Sequence, residues 1–164
     1  MSTTTEMTNP ASPSVPASVL PRLLDEGHTT RAWYGADFLT ALADVDAATA
    51  ARRPAAGRHS VGEIAIHHAY WLHEVGTRLG APAEPFPLEG EDWFEWTERS
   101  PLSWDGVRAL VQAKLQRLRD FVEAVSAGKA ASPLSESARF EQVLGIAAHA
   151  AYHAGQVQLV KKLV

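Results

Sequence analysis

The spacing of apolar residues between 104 and 126 constrains this chain more than any other feature. Val107, Leu110, Val111, Leu115, Leu118, Phe121, Val122 and Val125 recur every three or four positions. That period gathers them on one face of an α-helix and would scatter them over both faces of a strand. Ser103 stands where it can cap the start of such a helix, and Gly128 where the helix should stop. A second helix is predicted over about 61–79, through Ile64, Trp71, Leu72, Val75 and Leu79. Its start carries a capping box, Ser60-Val61-Gly62-Glu63, and Gly80, Pro82 and Pro85 follow its end.

The pattern at the two ends is also helical. Val19, Leu20, Leu23, Leu24, Trp33, Phe38, Leu39 and Leu42 mark residues 17–51 as a first helical region, with a break expected near Gly35. Arg53-Pro54-Ala55-Ala56-Gly57 closes it. A last helix is expected from about Ala138 almost to the C-terminus, through Phe140, Val143, Leu144, Ile146, Val157 and Val160. No segment alternates with period two. The expected fold is therefore all-α: a four-helix bundle with a long connection, residues 81–102, between the second and third helices. The bundle should occupy 17–164. Residues 1–16 are rich in Ser, Thr and Pro and are expected to form a disordered tail.

Composition narrows the function. The net charge of −4 lacks the basic excess of a nucleic-acid binder. Without cysteine, the chain offers no disulfide, no thiolate nucleophile and no Cys-based zinc site. No segment approaches the roughly 18–20 apolar residues of a membrane span. The N-terminus lacks the charged start and apolar run of a signal peptide. A cytoplasmic protein that engages neither nucleic acid nor membrane is expected.

Seven histidines are the conspicuous chemistry. His149 and His153 lie one helical turn apart in His149-Ala150-Ala151-Tyr152-His153, so both imidazoles leave the same helix face. Ala147, Ala148, Ala150, Ala151, Ala154 and Gly155 surround them and allow a neighbouring helix to come close. The metalloprotease motif would place a glutamate after the first histidine, where this chain has Ala150. An open metal site takes three protein ligands, so a third must come from elsewhere. The second helix supplies His67, His68 and His73. On its wheel His68 lies near the centre of the apolar stripe and His67 at its edge, beside Glu63 and Trp71. His28, among polar residues, reads as solvated, and His59 as a loop-orienting residue before the Ser60 cap.

Two stretches resemble the DinB-like (YfiT/DinB) superfamily of metal-binding four-helix bundles. The run from Gly145 to Val157 looks like that family's closing helix, with His149, Tyr152, His153, Gly155 and Gln156 in its HxxYHxGQ pattern. The run from His59 to His67 looks like its second helix, with Ser60, Glu63 and His67 in register. Trp33-Tyr34-Gly35 and Arg53-Pro54 also fit, so the resemblance spans nearly all of 17–164. It implies that His67, His149 and His153 ligate a divalent metal, with His68 packed in the core. Such a site suits Zn, Ni or Fe(II).

The resemblance further implies a transferase acting with a low-molecular-weight thiol on a small-molecule substrate, and a homodimer. Metal-dependent hydrolysis with Glu63 as base, or a non-catalytic stress-related binding module, are the alternatives. Glu63 reads either as the cap partner of Ser60 or as an acceptor orienting His67. Gln156 is a candidate to bond a metal water or substrate, and Tyr152 to pack between helices.

Overall fold

The computed structural model describes Pro16 and residues 18–29 and 32–164. The expected tail lies, but for Pro16, outside these residues. Among the described residues six helices follow in order: α1 (Val19–His28), α2 (Phe38–Ala43), α3 (Ala47–Ala51), α4 (Val61–Leu79), α5 (Trp104–Ser126) and α6 (Glu136–Leu163). No strand occurs among the described residues. The all-α bundle predicted from spacing is present, built from α1, α4, α5 and α6. α4 packs on α5 and α6, and α1 packs on α6 and α5. The first helical region is split into three pieces, with Gly35 at φ +145° in the first break.

The helix starts follow the capping chemistry. Ser60 accepts from Glu63 N–H at 3.2 Å, and the Glu63 carboxylate accepts from Ser60 N–H at 2.8 Å. Ser103 and Ser135 each accept from the N–H three residues on, and Asp37 and Asp46 do the same for α2 and α3. Each such cap contributes about 1 kcal/mol. α4 ends at Gly80, φ +101°, where Ala81 N–H reaches back to Gly76 O at 2.9 Å. That left-handed turn favours glycine and satisfies a carbonyl that the helix end would otherwise leave open.

The core runs along the inner faces: Leu24, Phe38, Ile66, Leu72, Val107, Val111, Leu118, Val143 and Val157 are all buried. α1 and α6 touch through backbone. A Cβ on Gly27 would stand 2.7 Å from the Ala147 carbonyl oxygen and 3.1 Å from its Cα. This close approach draws the C-terminal end of α1, and with it His28, onto the histidine-bearing part of α6. No helix is long and apolar enough to cross a membrane among the described residues.

Candidate metal centre

α4 and α6 cross so that three imidazoles converge. His67 Nε2 lies 3.2 Å from His149 Nε2, and His153 Nε2 lies 3.0 Å from the same atom. One ligand atom from each of His67, His149 and His153 falls within 4.8 Å of the others. His67 and His153 are buried and His149 is half-buried.

Hydrogen bonds to the opposite ring nitrogens fix what these Nε2 atoms carry. His67 Nδ1–H donates to the Asp92 backbone oxygen at 2.8 Å. His153 Nδ1–H donates to Gln156 Oε1 at 2.6 Å, and Gln156 Nε2 donates to the Tyr152 hydroxyl at 3.0 Å. A neutral imidazole has one N–H, so the Nε2 of His67 and of His153 is a bare lone pair.

His149 is held by a longer chain of bonds. His28 Nδ1 lies 2.6 Å from the Leu24 carbonyl oxygen, which can only accept, so His28 Nδ1 carries the proton. Its Nε2 must then accept from His68 Nε2–H, 2.9 Å away. His68 Nδ1 is left to accept from His149 Nδ1–H, also at 2.9 Å. The third Nε2 is therefore a lone pair as well. Three lone pairs converge, that of His149 within hydrogen-bond distance of each of the other two, with no proton between them. A divalent cation placed among them would relieve that repulsion.

Electrostatics keep the rings neutral. Burial, followed by the nearby His153 and His67, lowers the His149 pKa to about 3. Burial also lowers His153 to about 4 against the opposing bond to Gln156, and lowers His67 against the bond to Asp92. Neutral imidazole is the form that ligates metals.

The long connection builds one wall. Trp93 stacks on His67 with ring centroids 3.9 Å apart and planes 5° apart, and His59 stacks on the other side of Trp93 at 3.6 Å. Asp92 adopts a left-handed backbone, φ 62°, and is the non-glycine residue that does so among the described residues. Its carboxylate accepts from Trp71 Nε1 at 2.7 Å and lies 3.1 Å from His67 Nδ1. Beside His149 opens a groove of about 220 Å³, lined by Trp71, Val75, Arg78, Glu141 and Gly145. The Arg78 guanidinium sits 5.1 Å over the Trp71 ring.

Several expectations are corrected here. His28 is fully buried, not solvated, because Gly27 brings α1 against α6. Glu63 does not orient His67. Its carboxylate is occupied by the Ser60 N–H and by an ion pair with Arg53, and Asp92 takes the orienting role. Gln156 is spent on His153, and Tyr152 is 64% exposed instead of packed between helices. His73 faces Glu84 at 3.9 Å, away from the cluster. Trp96 and Trp104 belong to the core, whereas Trp71 and Trp93 border the site. Asp92 was not legible as a site residue; its one signal was a place in the long connection.

Fold and site together define the class: an all-helical bundle with three histidines placed to hold a metal ion. The family model of the DinB superfamily matches residues 28–157, and the chain belongs to that superfamily. No curated protein and no solved structure matches the chain.

Proposed function

We propose that the protein binds one divalent metal through His67, His149 and His153 and uses it on a small molecule admitted by the groove beside His149. The convergence of three unprotonated Nε2 atoms carries this reading. Bound there, Zn, Ni or Fe(II) would supply a Lewis acid that holds and activates an anionic ligand. The leading reaction is transfer involving a low-molecular-weight thiol. A neutral three-histidine site leaves the metal its full positive charge, which suits a thiolate. Trp71, Val75 and Ile146 would shelter the apolar part of such a ligand, and Arg78 offers a cation to its far end.

Hydrolysis draws less support, since Glu63, its intended base, is tied to Arg53 and Ser60. The non-catalytic binding module needs only the metal and the groove. Cobalt substitution discriminates among these readings. On adding a small thiol, the cobalt-loaded protein should gain a sulfur-to-cobalt charge-transfer band in the near ultraviolet. An unchanged spectrum at millimolar thiol would remove the thiol reading and leave the metal site standing.

A homodimer belongs to the same proposal, supported by the outer face of α6. Between Glu141 and Lys162 that face exposes only Leu144, Gly145, Ala148, Tyr152, Gly155 and Leu159. The outer face of α5 instead shows Asp105, Gln112, Gln116, Asp120 and Glu123 beside Ala109 and Ala113. A solvated helix face is normally polar. The stripe is also self-complementary when two copies run antiparallel about an axis between Ala151 and Tyr152. Glu141 then meets Lys162, Leu144 meets Leu159, and Ala148 meets Gly155, as a two-fold interface requires. Light scattering should give a dimer for the wild type and a monomer for Ala148→Glu. A monomeric wild type at about 100 μM would refute it.

A further inference from the structure

Two buried histidines lie behind the candidate ligands, and neither contributes a ligand atom. His28 and His68 are both fully buried. A buried imidazole is costly unless both its nitrogens are bonded, and an aliphatic or aromatic residue would fill the same space without that cost. Here each nitrogen is bonded, in an unbroken line from the Leu24 carbonyl through His28 and His68 to His149 Nδ1. The rings follow one another edge to edge along that line, their planes 29° and 21° apart. His28 and His68 have centroids 5.1 Å apart, as do His68 and His149, and Phe38 packs on His68 at 4.3 Å.

The line has a fixed polarity. Reversing every proton would leave a bare His28 Nδ1 facing the bare Leu24 oxygen at 2.6 Å. One arrangement remains: Nδ1–H on His28, Nε2–H on His68 and Nδ1–H on His149. The carbonyl of one helix thus determines which nitrogen of a ring on another helix is free.

We propose that His68 and His28 are positioning residues that hold His149 in the tautomer and orientation a metal ligand needs, anchored on the Leu24 carbonyl. This rests on the reading of His149 as a ligand. The three candidate ligands differ in their supports. His67 leans on a loop carbonyl, His153 on a side-chain amide of its own helix, and His149 on the bundle core. The relay therefore couples metal affinity to the packing of α1, a helix that supplies no ligand.

Two measurements on the full-length protein test this, with zinc alone as the probe. The first is chelator-competition affinity. His68→Leu should weaken zinc binding about 10–100-fold, the range for loss of a residue that orients a ligand. His68→Gln should stay within about threefold of wild type, because its amide oxygen can accept from His149 and its NH₂ can donate to His28. A His68→Leu protein that binds zinc as tightly as wild type, or a His68→Gln protein as weak as His68→Leu, would overturn the proposal.

The second measurement needs no variant, so a folding failure cannot obscure it. A long-range ¹H–¹⁵N spectrum of the zinc-loaded wild type should show His68 protonated on Nε2 and His28 on Nδ1. His68 protonated on Nδ1 would overturn the relay while the metal site stood. A wild type that takes up no zinc would overturn both.

Discussion

Stripping the metal with a chelator should lower the midpoint of thermal unfolding by about 10 °C, and restoring zinc should recover it. The size follows from linkage. A ligand at about a thousand times its dissociation constant stabilises the folded state by about 4 kcal/mol. For a chain of this length each kcal/mol moves the midpoint by about 2–4 °C. The direction follows from the site. His67, His149 and His153 are brought together only by the crossing of α4 and α6, so the unfolded chain has no such site. The double variant His149→Ala/His153→Ala should show no response to chelator or zinc. A wild-type midpoint that ignores both would contradict the account.

Acid should destabilise the metal-free protein well above the pH at which carboxylates titrate. His28 is buried, and burial lowers its pKa from 6.5 to about 4, against the opposing bond to Leu24. In the unfolded chain it binds a proton near pH 6.5, and in the folded protein it stays neutral down to about pH 4. Between those values the unfolded state holds more protons, so stability falls as pH falls. His28 alone contributes about 3 kcal/mol across that window. His68, pushed well below its ordinary value by burial and then by His28 and His149, acts in the same direction. Urea unfolding should therefore give nearly constant midpoints above pH 7 and a marked decline between pH 6.5 and pH 4. A midpoint unchanged from pH 7.5 to pH 5 would show that these rings gain protons freely in the folded state.

How much of this was legible in the sequence depended on how local the controlling chemistry is. The ends of α4 and α5 could be read because Ser60, Glu63, Ser103 and Gly80 act within four residues of themselves. The region before Arg53 was seen as helical and broken, but not as three helices. α2 and α3 are too short to show a period, and only their caps, Asp37 and Asp46, mark them.

The His149–His153 pair was legible from one turn of spacing. The neighbouring pair His67-His68 gave two answers, from the apolar stripe and from the family register. The structure gives both residues a place at the same ring. His67 faces the Nε2 side of His149, and His68 lies in the core behind it on the Nδ1 side. What the sequence hid was tertiary. Nothing local marks the Asp92 carbonyl as the support of His67, and nothing near His28 shows that Gly27 lets α1 touch α6.

If three histidines hold one metal, the metal content of untagged protein will show it. Mass spectrometry after loading with Zn, Ni or Fe(II) should find close to one metal per chain in the wild type and almost none in His149→Ala/His153→Ala. Equal metal in both proteins would place the ion elsewhere. No metal in either would leave the histidine cluster as an arrangement of the core.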